Sequence, residues 1–189
     1  MRKLLSISVI LLLLLQCQKK EDTTKETAQT LEKVDSLKLK DTNESADQEH
    51  IQWIKKQYAT INAKKIKPQS FTFTCDVENT INYYFENGKI IKISIQWGYL
   101  GDGESYTEYY YDQNNVFFIY ERYIGGPAGL EPETYEERYY IKNKHVIRFM
   151  KNQEIVPCEE NCILDENSQP TQALKAFADK QFPKRLCDL

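Results

Sequence analysis

Apolar residues recur along the chain with two different periods. In HIQWIKKQYATINAKK, Ile51, Ile54, Tyr58 and Ile61 fall three or four residues apart, on one face of a helix. Ser45 followed by Gln48 has the spacing of a capping box. The pattern predicts an amphipathic helix of about four turns, and Pro68 closes the region after it. Beyond Pro68 the period falls to two. In KIIKISIQW, Ile91, Ile93, Ile95 and Trp97 point one way, and Lys92, Ser94 and Gln96 the other, as in a strand with one buried face.

Upstream, Ile81, Tyr83 and Phe85 alternate in the same way, with Glu86-Asn87-Gly88 between the two runs. Opposed residues in a hairpin share a face. A two-residue Asn87-Gly88 loop pairs Phe85 with Ile90 and sets Ile91 opposite Tyr84, which splits the apolar set. A three-residue loop keeps it together. The pattern therefore predicts a type I turn with a bulge and a left-handed Gly88, rather than a type I′ turn.

The hairpin recurs. YYFENGKIIKI begins at Tyr83, YYYDQNNVFFIYE at Tyr109 and YYIKNKHVIRFM at Tyr139, with GYLGDGES and GGPAGLEPE between them. With FTFTCDV added, about seven strands are expected in meander order. In the middle hairpin Tyr109, Tyr111, Phe117 and Ile119 lie on one face, and Tyr110, Phe118 and Tyr120 on the other. Both faces are apolar, so the second needs partial cover. Two helices can supply it: the one from Ile51 to Ile61, and TQALKAFADKQF. In the latter Leu174, Phe177 and Ala178 form the stripe, Pro170 starts the helix and Pro183 stops it. The expected class is α+β, an antiparallel β-meander with an N-terminal and a C-terminal helix packed on one side.

Ahead of these elements the chain opens MRKLLSISVILLLLLQCQKKED. Arg2 and Lys3 precede an aliphatic run ending at Leu15, too short for the ~20 residues of a spanning helix. It has the length of a signal-peptide core. Leu14-Leu15-Gln16-Cys17 resembles the lipobox of bacterial lipoproteins, with a leucine three residues before the cysteine. Gln16 departs from that pattern, where Gly, Ala or Ser is usual. The resemblance implies cleavage before Cys17 and acylation of its thiol. Two or more acyl chains, at ~0.8 kcal/mol per buried methylene, hold a soluble domain on a bilayer. The charged residues after Cys17 look like the sorting signals that take some lipoproteins to the cell surface.

The expected organisation is a signal peptide over 1–16, a lipidated Cys17 with a charged tether over 17–47, and one globular domain over 48–189. The tether is rich in charge, Ser and Thr and has no aromatic residue, so it buries too little surface to offset chain entropy. A leash of ~30 residues has an r.m.s. reach of ~30 Å.

Net charge is −3 for the whole chain, and removal of Arg2 and Lys3 makes it about −5. No basic patch suits nucleic acid. Five cysteines include Cys17, which leaves Cys75, Cys158, Cys162 and Cys187. An even number in an exported chain points to two disulfides, and three pairings are possible. We expect Cys158 with Cys162 as a local ring after Pro157, and Cys75 with Cys187 tying the tail to the sheet edge. Zinc held by Cys158, Cys162, Cys187 and His145 is the competing arrangement, but the spacing fits only loosely and an oxidising compartment disfavours it. No metal or cofactor is expected.

Catalytic signatures are missing from the sequence. There is no GxSxG, HExxH or glycine-rich phosphate loop. Glu136 and Glu137 are strand neighbours and face opposite ways. A carboxylate pair distant in sequence stays open. Tyrosine stands out: 13 in the chain, twelve of them between Tyr83 and Tyr140. Tyr84, Tyr110 and Tyr140 hold matching repeat positions opposite the isoleucines, with Lys92, Arg122, Arg138 and Arg148 on the same side. Tyr and Arg dominate binding hot spots. Tyr84, Tyr110, Tyr140, Arg122 and Arg148 are thus candidates for gripping a protein or glycan partner. The functions expected are a lipid-anchored, non-enzymatic binding or inhibitor-type module, or a surface hydrolase acting on glycans or peptides.

Overall fold

A computed structural model of the protein describes residues 45–127 and 129–187. The signal segment, Cys17 and the tether up to residue 44 lie outside the described residues. Eight strands form one sheet: β1 (Gln69–Thr74), β2 (Glu78–Glu86), β3 (Lys89–Leu100), β4 (Gly103–Asp112), β5 (Asn115–Gly125), β6 (Glu133–Lys142), β7 (His145–Lys151) and β8 (Glu154–Val156). Their order in space is their order in the chain, so the sheet is an antiparallel meander. β8 is the strand beyond the expected seven. Its three residues are too few to show a period.

The turns differ from expectation. Asn87 and Gly88 form a two-residue loop with φ of 51° and 76°, and Glu86 faces Lys89. Positive φ at both positions is the type I′ turn, whose twist matches that of the flanking strands. The same turn recurs at Gln113-Asn114, Asn143-Lys144 and Asn152-Gln153. The parity conflict is resolved one step later. Phe85 faces Ile90, but Tyr84 faces Lys92, so Ile91 is an extra residue in β3. Phe117 in β5 and Ile147 in β7 are extra in the same place. A β-bulge of this kind lets two residues oppose one. Ile91, Phe117 and Ile147 therefore join Lys92, Phe118 and Arg148 on one face, while Ile90, Val116 and Val146 stay on the other. Ile91 and Phe117 are thus on the face opposite to the one expected.

Helix α1 spans 45–62, somewhat longer than four turns, and it contains Ser45 instead of being capped by it. Ile51, Ile54 and Ile61 pack on Tyr110, Phe117, Phe118 and Tyr140. Helices α2 (Gln169–Asp179) and α3 (Phe182–Leu186) pack on the opposite face. The two helical layers flank the sheet; they do not share one side. The reason is the middle hairpin: with both its faces apolar, one helical layer cannot keep water from it. In α2 the buried line runs through Ala173 and Ala176, with Phe177 partly buried and Ala178 exposed. Pro183 does not stop a helix. It sits in the first turn of α3, where its missing N–H has no partner to lose.

Cys75 pairs with Cys187 and Cys158 with Cys162, at Cα separations of 5.6 and 5.8 Å. The first clips α3 to the end of β1. Among the described residues no helix is long and apolar enough to cross a membrane.

Candidate functional site

Four of the five candidate residues, Tyr84, Tyr110, Tyr140 and Arg148, lie in one row across the sheet. Tyr84, Lys92, Tyr110, Phe118, Tyr140 and Arg148 are successive cross-strand partners. That row is the bed of α1. Tyr110 is 0% exposed and Tyr140 5%, so neither can touch a partner. The spacing does place them on one face, but its occupant is the protein's own helix. Tyr58 of α1 packs on Tyr110 with ring centroids 5.1 Å apart. Arg148 bonds Gln48 of α1 at 3.0 Å. Tyr84 is half-buried with the Lys92 ammonium 5.3 Å from its ring. Arg122 lies outside the α1 bed, half-buried over Tyr106 at 5.6 Å.

A polar cluster closes the far end of this bed. Lys92 and Glu108 are both buried and form an ion pair. Glu108 also accepts hydrogen bonds from Tyr106 at 2.7 Å and Tyr110 at 2.5 Å. Lys92 donates to Asn62 at the end of α1, 2.9 Å away. Burial, and then the Glu108 charge, push the Tyr110 phenol well above its ordinary pKa. Donors and acceptors are satisfied within the cluster, so it holds α1 in register and offers nothing to a ligand.

The other face is organised differently. Three rows cross it in register. Tyr109, Ile119, Tyr139 and Phe149 form the inner row. Thr107, Glu121, Glu137 and Lys151 form the middle one. Trp97, Ser105, Tyr123 and Tyr135 form the outer one. α2 covers the inner row only in part, and its first residue, Gln169, accepts a hydrogen bond from Tyr109. The outer row is open: Tyr123 and Tyr135 are 36% and 47% exposed, with ring centroids 6.3 Å apart.

Tyr123 is held down by what lies beneath it. Gly103 and Gly125 face each other across β4 and β5, and a Cβ on either would lie about 2.5 to 2.6 Å from the Tyr123 hydroxyl. The two glycines leave the space that the ring fills. Trp97 is fixed by a 3.1 Å bond from Nε1 to Thr107 and by an edge contact with Phe73.

Three cavities of about 430, 320 and 490 Å³ lie along this face. The first two share Trp97, Ser105, Tyr123 and Gln169 and so form one continuous groove, and the third adjoins it at Glu137. Its floor carries the Glu121–Glu137 pair. Burial, and then the nearby Glu137 charge, push Glu121 up to about 7. Glu137 accepts from Tyr139 at 2.5 Å and pairs with Lys151 at 3.1 Å. Among the described residues no cation or donor pairs with Glu121. A larger cavity of about 690 Å³ lies by the hairpin tips, between His50 and Glu166. Its His50 is bonded to the Ile141 carbonyl, and Asp165 is turned onto Ser168 and the backbone of Asn167. These two side chains serve the fold.

No family model, curated protein or solved structure matches this chain.

Site geometry therefore carries the functional argument alone. Tyr123, Tyr135 and Glu121 carry no repeat signal in the sequence because they lie away from the repeat tips; Trp97 reads there as part of a buried face, and Glu137 only as the strand neighbour of Glu136. Glu121 and Glu137 meet only through the β5–β6 register. The one available signal was the period of two linking Glu121 with Tyr123, and Tyr135 with Glu137.

Proposed function

We propose that this chain is an envelope lipoprotein whose folded domain is a non-enzymatic binding module. In this reading Cys17 carries the acyl chains, the tether holds the domain off the bilayer, and the groove on the α2 face receives the partner. One observation carries it: Tyr123 and Tyr135 stand exposed in register beside Trp97, on the only stretch of sheet face that combines open aromatic rings with a continuous groove among the described residues. The face first marked by Tyr84, Tyr110 and Tyr140 is covered by α1 at two of its three tyrosines. The module works at the inner or outer membrane, on its periplasmic or external side.

The test measures retention of the acylated protein on delipidated envelope material. Retention should fall at least tenfold in Tyr123→Ala/Tyr135→Ala and stay unchanged in Tyr84→Ala. Equal retention of all three would remove the groove. Cys17→Ser tests the anchor separately, since the product should lose its acyl label and its membrane fraction.

A second reading is favoured by a specific feature. Burial, and then the neighbouring Glu137, push Glu121 up to about 7, and such a pair can divide general-acid and general-base work. A hydrolase of glycans or peptides would lose turnover in both Glu121→Gln and Glu137→Gln while still binding its substrate. A binding module would show no turnover to lose.

A further inference from the structure

We infer that the groove takes a linear, uncharged polysaccharide laid across the strands, with sugar rings stacked on Tyr123 and Tyr135 and hydroxyls held by Glu121 and Glu137. This inference rests on the groove being the binding surface.

Four features select this occupant. The central stretch of the groove, around Glu121, Tyr123 and Tyr135, runs over strand interiors, where β4, β5 and β6 each have a neighbour on both sides. Their backbone N–H and C=O groups are spent in the ladders, so a peptide could not bind by adding a strand. Recognition must come from side chains. These are flat aromatic rings, carboxylates, and the Ser105 hydroxyl and Gln169 amide: faces for C–H surfaces and acceptors for hydroxyls. Charge disfavours an anionic chain. Lys151 is the one cation on the middle row and Glu137 already neutralises it. Arg122 also borders the central cavity, but it is half-buried and turned over Tyr106 on the opposite face. Among the described residues Glu121 has no counter-charge, and Glu159 and Glu160 add to the rim. Dimensions suit a chain more than a single sugar. Trp97 to Tyr135 crosses three strand spacings, about 14 Å. Glu121, part-protonated near pH 7, can both donate to and accept from a hydroxyl.

The full chain in detergent micelles is titrated calorimetrically with linear hexasaccharides: β-1,4-glucose, β-1,4-N-acetylglucosamine and α-1,4-glucose as neutral probes, and α-1,4-galacturonate as the anionic one. Decalysine serves as the cationic peptide. The expected result is that at least one neutral hexamer binds with a Kd below about 1 mM, a range ordinary for weak recognition. Galacturonate should not bind. Tyr123→Ala and Tyr135→Ala should each weaken the neutral hexamer at least tenfold, and Tyr123→Phe by less than about threefold. The Phe variant keeps the ring over Gly103 and Gly125, so it separates stacking from folding. Binding of no neutral hexamer overturns the inference, as does binding indifferent to both tyrosines, or of galacturonate or decalysine alone. If envelope retention still depends on Tyr123 and Tyr135 while no sugar binds, the groove stands and the glycan falls.

Discussion

Tyr110 donates its phenolic proton to Glu108, two residues back on β4, across 2.5 Å, and both side chains are sealed under α1. The tyrosine that looked most like a binding residue is a buried strut. Glu108 also carries the charge that balances Lys92. Glu108→Ala leaves that ammonium buried and unpaired, and should destabilise the fold by about 3–5 kcal/mol. Tyr110→Phe leaves the ion pair intact and should cost about 1–2 kcal/mol for the lost charged hydrogen bond. Urea unfolding measures both. Equal losses would mean that the ion pair contributes nothing.

Glu121 makes stability depend on pH with a definite sign. Its folded pKa of about 7 lies above the ordinary 4.5, so burial favours the protonated form. The stability that this proton supports is complete below pH 4.5 and lost as pH rises through 7. Glu121→Gln should therefore exceed the parent at pH 8 by up to about 3 kcal/mol, with the gap closing near pH 4. Denaturant midpoints across that window give the answer. A gap that widens on acidification would show Glu121 charged and paired in the fold.

The two disulfides should be unequal. Cys75–Cys187 closes a loop of 112 residues and Cys158–Cys162 one of 4. Chain entropy assigns about 4–5 kcal/mol to the long loop and about 2 kcal/mol to the short one. Thermal melts of Cys75→Ser/Cys187→Ser and Cys158→Ser/Cys162→Ser should show the larger fall for the first pair. The reverse order would show that the small ring fixes local structure whose loss outweighs the chain-entropy difference.

The bulge at Ile91 makes an unusual deletion tolerable. Without Ile91, Lys92 follows Ile90 and still faces Tyr84, so every later pair in β3 keeps its register and face. The expected loss is the half-buried isoleucine itself, about 1–2 kcal/mol. Deleting Gly88 instead breaks the type I′ turn and should prevent folding or shift the strand. Hydrogen exchange of β3 amides distinguishes the two. Loss of protection throughout β3 on deletion of Ile91 would show that the bulge sets the register.

Much of this fold was legible because its signals are local. Alternation along Ile81–Phe85 and Ile91–Trp97 marks strands whatever they pack on, and the Ile51–Ile61 spacing marks a helix in the same way. Chain order gave the meander, since short polar turns leave consecutive strands no other neighbour. The cysteine pairs followed from Cys187 lying at the tail and Cys158 lying four residues from Cys162. The bulges were less legible. Alternation alone cannot distinguish a longer turn from an extra residue inside the strand. Both repair the same parity, and the twist match of the type I′ turn decided between them.

Local pattern alone set which segments are strands and helices, the order in which they pair, and which cysteines could meet. The face that each helix covers came from packing. That choice buried Tyr110 and Tyr140, left Tyr123 and Tyr135 open, and set Glu121 beside Glu137 from positions sixteen residues apart. The physical reason is that periodicity is a property of neighbouring residues. Exposure depends on competition between distant elements for the same apolar surface.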